Sequence, residues 1–157
     1  MTETTEMDLR KSIYSTFSAV ASALGYSEVH GMIISALLVE NKSLSLEELA
    51  QKTGYSLSSI SISLDLLELV GIVRKIKNSG DRKIYVRLEG DLLESLKTAF
   101  MLKLKKEMLK TRMEMKKHRI VSKEKGTNQM IATMEKELKR LDTYIDRLAQ
   151  VQIPGKK

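Results

Sequence analysis

The chain has 157 residues, the size of one ordinary domain with a small extension, and its 27 Lys and Arg against 20 Asp and Glu give a net charge of +7. It contains no Cys, which excludes disulfides, a Cys-ligated zinc site and a thiol nucleophile. No apolar run approaches the roughly 20 residues of a membrane span, and the acidic, Thr-rich start does not resemble a signal peptide.

Apolar residues at spacings of three and four predict a helical first half of the chain. The predicted helices there cover residues 7–24, 28–40 and 46–53. The segment Leu44–Leu46 is expected to be short and extended. Ser45 then serves as the N-cap of the third helix, Glu47 and Glu48 suit its dipole, and Gly54 ends it.

A fourth helix is predicted from an N-cap at Ser56 to Val70, with Ile60, Leu64 and Leu67 pointing inward. It carries no Lys or Arg. Its expected outer face is instead a run of short polar side chains, Ser56, Ser58, Ser59, Ser61 and Ser63. Serine is a poor choice for an ordinary helix surface, so this face is expected to approach another surface closely.

After Gly71 the apolar period changes to two, which predicts a β-hairpin. Its strands are expected over Ile72–Lys77 and Ile84–Leu88, joined by a turn at Asn78–Asp81. Residues 72–89 hold six basic and two acidic side chains. A basic hairpin of this kind is typical of nucleic-acid binding.

Two long helices are predicted in the remainder, from Asp91 to about Lys125 and, after a break at Gly126–Asn128, to the end of the chain. The second has a heptad seam, formed by Ile131, Met134, Leu138, Leu141, Ile145, Leu148 and Gln152. Residues 90–126 hold eleven basic and five acidic side chains. A solvated helix face and a functional basic surface both explain that charge.

The order of these elements, helix, extended piece, short helix, polar-faced helix and basic hairpin, is that of a winged helix-turn-helix. Four stretches, Leu46–Gly54, Ser56–Leu64, Leu67–Lys75 and Gly80–Lys83, resemble the MarR superfamily of transcriptional regulators, and within it the GbsR-like branch, which has archaeal members. The resemblance implies a mainly α fold with a small β-hairpin, flanked by an N-terminal helix and two long C-terminal dimerisation helices. The expected divisions are an N-terminal helix at the dimer interface over 1–26, a DNA-binding domain over 27–90 and a dimerisation region over 91–157.

The resemblance also implies two sets of functional residues. The DNA-binding set is Ser56, Leu57, Ser58, Ser59, Ser61, Ile62, Lys75, Lys77, Asp81, Arg82 and Lys83. Within it Asp81 is expected to hold a neighbouring wing cation, and Arg82 and Lys83 to reach the minor groove or its phosphates. The dimer-interface set is Phe17, Leu93, Phe100, Leu104, Met134, Leu138, Leu141, Ile145 and Leu148.

These features predict a cytoplasmic, homodimeric, sequence-specific regulator that binds double-stranded DNA, with no catalytic residues, cofactor, metal site or membrane partner. A hydrophobic small-molecule effector and general transcription factors remain open as further partners. The alternative is a winged-helix protein-interaction module of the transcription machinery. It is favoured by residues 43–71, which hold one basic and four acidic side chains.

Overall fold

A computed structural model describes residues 2–121 and 124–155 of the chain. The described residues form α1 (Glu3–Ala23), α2 (Glu28–Glu40), β1 (Leu44–Ser45), α3 (Leu46–Thr53), α4 (Leu57–Leu69), β2 (Val73–Lys77), β3 (Ile84–Leu88), α5 (Leu92–Val121) and α6 (Lys125–Ala149). They divide into two compact units, Met1–Leu96 and Lys97–Lys157. The mainly α winged-helix class predicted from the sequence is confirmed. The finer divisions at residues 26 and 90 stay predictions.

The core of the first unit forms around α2, which packs against α1, α3, α4 and β3. Its side chains interleave with those of α3, α4 and the sheet because each of these elements presents one apolar face. The fully buried large side chains here are Ile33, Leu44, Leu49, Ile60, Leu64 and Val86. The predicted inward stripe of α4 is confirmed, since Leu67 is also buried.

The contact between α1 and α2 is a close backbone approach at Gly31. A Cβ atom on this residue would lie 2.3 Å from the carbonyl oxygen of Phe17 and 2.7 Å from Cα of Ser18. Neither backbone atom can move without shifting α1, so this crossing requires glycine. The sequence analysis did not detect this requirement.

The three strands form one antiparallel sheet in the order β1-β3-β2. The predicted hairpin is confirmed within one residue, with Val73 opposite Leu88 and Lys77 opposite Ile84. The short β1 pairs with β3, placing Ser45 opposite Tyr85. Because Ser45 is also the N-cap of α3, the sheet is tied directly to the helix-turn-helix.

In the second unit α5 and α6 pack as an antiparallel pair. Nζ of Lys97 donates to the carbonyl oxygens of Ala149 and Val151, at 2.9 and 3.1 Å. Further along, Arg112 pairs with Asp142, and Arg119 with Glu135 at 3.0 Å. The apolar contact is made by Met108, Leu138 and Ile145, with Met101, Leu104, Met115 and Leu141 packed around them.

One predicted helix boundary is wrong. Gly126–Asn128 was expected to separate the last two helices, but these residues lie in the first turn of α6, which begins at Lys125 with Glu124 as its N-cap. Glycine weakens a helix by only about 1 kcal/mol, and the packed length of α6 offsets this cost. The preceding helix is described as far as Val121, and Lys125 belongs to α6.

Candidate nucleic-acid interface

The first helix of the helix-turn-helix, α3, is fixed at both ends by local hydrogen bonds. Oγ of Ser45 accepts from the backbone N–H of Glu48 at 3.1 Å, and the Glu48 carboxylate accepts from the backbone N–H of Ser45 at 2.7 Å. The second of these bonds lowers the pKa of Glu48 below its usual range. Gly54 ends the helix with a left-handed φ of 78°, as predicted.

The second helix, α4, starts at its predicted N-cap, Ser56, whose Oγ accepts from the backbone N–H of Ser59 at 3.2 Å. Its outer face contains the residues spaced three and four apart that remain exposed, Ser58, Ser61, Ile62, Asp65 and Leu69. Leu57, at the first position, is also exposed, whereas Ser59 is half-buried. The predicted exposure of Ser63 is wrong, because it falls on the inner arc beside Leu64 and is only 5% exposed.

The hairpin places its cations on two faces. Arg74 and Arg87 lie directly opposite each other across β2 and β3. Such a like-charge pair is unfavourable by itself. However, Oε1 of Glu89 lies 3.7 Å from Nη1 of Arg74, and its Oε2 lies 3.4 Å from Nε of Arg87. One carboxylate therefore offsets both arginines.

Lys75 joins the hairpin to α4. Its ammonium group pairs with the carboxylate of Asp65, and its backbone N–H donates to Oε2 of Glu68 at 2.9 Å. Lys75 was expected to contribute to DNA affinity, yet its charge is already matched within the chain. Sequence reasoning counted Asp65 and Glu68 as acidic residues of this region but did not predict their contacts with Lys75, since no local pattern shows that β2 runs beside this helix.

The other three cations of the hairpin are placed differently. Within residues 2–121 and 124–155, Lys77, Arg82 and Lys83 make no ion pair, and all three are exposed. At the turn, Oδ1 of Asp81 accepts from the backbone N–H of Lys83 at 3.0 Å. Asp81 thus orders the turn through its backbone, which leaves the flanking cations directed to solvent.

The residues predicted for a dimer interface fall into three groups. Leu138 and Ile145 are buried against α5, with Leu104 and Leu141 beside them. Phe100, Met134 and, in the first unit, Leu93 are 38%, 43% and 54% exposed. The remaining members, Phe17 and Leu148, are half-buried, as Leu104 and Leu141 are.

Two classes of site are not found in the part of the chain that the structure describes. No three His, Asp or Glu side chains there are grouped so that they could hold a metal ion. None of the described helices has the length and apolar character needed to cross a bilayer.

Comparison with known proteins finds a similar fold among solved structures. No protein-family model and no curated protein sequence matches the chain. Among solved structures, one described only as a transcriptional regulator aligns with a TM-score of 0.66 and 17% identity, over 90% of this chain and 96% of its own. This likeness shows a shared fold.

Two further solved structures align less well. The regulator BldR from Sulfolobus solfataricus is 22% identical with a TM-score of 0.43, over 87% of this chain and 91% of its own. Wild-type MarR from E. coli is 13% identical with a TM-score of 0.43, over 94% of this chain and 97% of its own.

Proposed function

We propose that this chain is a transcriptional regulator of the MarR superfamily that binds double-stranded DNA. The observation that carries the proposal is the combination of an exposed α4, with short serine side chains at Ser58 and Ser61 in its N-terminal part, and a hairpin that leaves Lys77, Arg82 and Lys83 unpaired. An α-helix fits the major groove when its outward side chains are short. Cations on the adjacent hairpin replace counterions condensed on the DNA backbone.

We further propose that the regulator acts as a homodimer, with α4 of each protomer in successive major-groove segments. The support is apolar surface that two helices cannot cover, namely the exposed Phe100, Leu109, Met113, Met130, Met134 and Tyr144 of the second unit. The proposal implies a cytoplasmic protein. The GbsR-like branch, a hydrophobic effector and contact with general transcription factors stay predictions.

A second candidate function is a protein-interaction module. Leu57, Ile62 and Leu69 are 50%, 72% and 78% exposed on α4, and Asp65 and Glu68 are also exposed. Such a surface suits a protein partner. The hairpin favours DNA instead, because a protein module has no need of three unpaired cations at the wing.

Selection of bound sites from a random duplex DNA pool at about 0.15 M salt, the physiological range, tests the proposal. We expect an enriched inverted repeat whose half-sites are centred about one helical turn apart. Enrichment of a single half-site would support DNA reading and contradict the dimer. If no sequence is enriched, and an intact chain captures a protein that a hairpin-deleted chain also captures, the regulator proposal is overturned.

A further inference from the structure

The outer face of α4 contains few groups that are free to contact a ligand. Oγ of Ser58 lies 3.1 Å from Oγ of Ser56, within the N-cap. Asp65 is held by Lys75. In the described chain, the Ser61 hydroxyl and the exposed side chains of Leu57, Ile62 and Leu69 have no such partner, and Ile62 and Leu69 are the more exposed of these three apolar residues.

Ile62 is an unusual residue for its place. It is the sixth of the 13 residues of α4, and 72% of its surface is exposed. A β-branched side chain loses rotamer freedom in a helix, and here it recovers little by burial within the chain. Ala, Lys or Glu would serve the isolated helix better, so this isoleucine is best explained by contact with a partner.

Ile62 and Leu69 differ in their position along α4, and this decides which of them can reach the bases. The N-terminal part of a recognition helix faces base edges, whereas its C-terminal end passes towards the backbone. Ile62 lies in the middle of the helix beside Ser61, and Leu69 is its last residue. The unpaired Lys77, Arg82 and Lys83 on the neighbouring hairpin favour DNA as the partner, because their charge complements phosphate.

The apolar group that DNA presents in the major groove is the C5-methyl of thymine. We propose that Ile62 selects thymine in each half-site by packing against this methyl group. The inference rests on the proposed DNA-binding function and deepens it. It predicts that recognition by this helix, which has no Lys or Arg, depends on a methyl group at a defined position.

Replacing thymine by deoxyuridine tests the inference, because it removes the methyl and leaves the pairing edge unchanged. Each thymine of the selected site is replaced in turn, and binding is measured by fluorescence anisotropy for the wild type and for Ile62→Ala. Replacement at one position should weaken wild-type binding by about fourfold, because the contact then lacks one buried methyl group. The same replacement should leave Ile62→Ala binding unchanged.

Leu69→Ala is the matched control, since it truncates an exposed apolar side chain of the same helix. It should retain the full sensitivity to deoxyuridine. Both variants should fold, because alanine favours a helix and neither side chain is buried.

The outcomes separate this inference from the proposed function. Sequence-specific binding that tolerates uracil at every position overturns the thymine assignment and leaves the regulator intact. Sensitivity that persists in Ile62→Ala assigns the contact to another residue and also overturns the inference. Absence of any sequence preference overturns the thymine assignment, and absence of any duplex binding overturns both proposals.

Discussion

Single residues of the hairpin differ in whether a carboxylate already neutralises them. Arg74, Lys75 and Arg87 have partners within the chain, whereas Lys77, Arg82 and Lys83 do not in the described structure. A cation that is already paired gains little from a phosphate, because it must first leave its carboxylate. The six cations are therefore expected to contribute unequally to DNA binding.

Arg82→Ala should weaken binding to all duplex sequences and reduce the slope of log affinity against log salt by about one unit. Titrations at several salt concentrations measure both effects. Arg74→Ala is the matched control, because it removes the same group from the same hairpin beside Glu89. Equal losses in the two variants would contradict the division into paired and unpaired cations.

Lys75→Ala should weaken DNA binding for a different reason. It leaves the Asp65 carboxylate uncompensated on the outer face of α4, where it repels the DNA phosphates. We expect the DNA affinity to fall about fivefold, which corresponds to the repulsion between two charges about 4 Å apart in water. Asp65→Asn in the same chain should restore most of the lost affinity. Lack of restoration would make Lys75 a direct phosphate contact instead of a positioning residue.

The candidate site was predictable from sequence wherever it depends on local pattern. The N-cap at Ser56 and the basic turn at Arg82 and Lys83 follow from residues within a few positions of each other. The pairing of Asp65 with Lys75 was not predictable, because it requires β2 to run beside α4. Ser63 was misplaced because serine is compatible with both faces of a helix, and only the packing decides.

Helices and strands show the same division between local and tertiary causes. Caps and glycine stops predicted α2, α3 and α4 to within one residue. The pairing of β1 with β3 and the helical state of Gly126–Asn128 depend on contacts elsewhere in the chain and were not predicted.

Gly31→Ala should destabilise the fold more than most substitutions that add a single methyl group. The added Cβ meets the backbone of Phe17 and Ser18, so α1 must shift, and we expect a loss of about 3 kcal/mol. Urea denaturation followed by circular dichroism measures it. Gly126→Ala is the control, because no atom lies within 4 Å of the new methyl and the change should be neutral or stabilising. A Gly31→Ala chain of wild-type stability would disprove the close approach.

The start of α2 should make stability depend on pH. Nδ1 of His30 accepts from the backbone N–H of Ser27 at 3.2 Å, which requires a neutral ring at that nitrogen, and burial lowers the pKa of His30. The unfolded chain then binds a proton more readily than the folded one. This contribution to stability is fully present above pH 6.5, the ordinary pKa of histidine. It is lost as the pH falls through the lower pKa that His30 has in the folded chain.

His30→Gln keeps a cap acceptor but does not titrate, so it should flatten the dependence of the unfolding free energy on pH below 6.5. A His30→Gln chain with the wild-type profile would assign the acid sensitivity to the carboxylates.

Assembly of the whole molecule depends on what covers the second unit. Its heptad seam correctly predicts an apolar face on α6, but Leu138 and Ile145 bury themselves against α5 of the same chain. A seam in a sequence defines a surface and does not identify the helix that covers it. The proposed homodimer would therefore have to be formed by the apolar residues that remain exposed, among them Met134 and Tyr144.

The double variant Met134→Asp with Tyr144→Asp should be monomeric with unchanged helix content, because it places two charges on this apolar arc. Sedimentation velocity measures the assembly state, and DNA binding should weaken as the second half-site is lost. Ala132→Asp with Thr143→Asp adds the same charges on another exposed arc of α6 and should stay dimeric. A dimer that survives the first change has its interface elsewhere, and a monomeric wild type overturns the homodimer proposal.

The strand order has one more consequence. β3 lies in the middle of the sheet and is connected through β1 to the start of α3. β2 is an edge strand, and the turn at Asn78–Gly80 joins it to β3. Residues inserted at that turn would extend the hairpin away from the core without displacing the helices. The length of the hairpin can therefore change, by evolution or by engineering, while α4 stays in place.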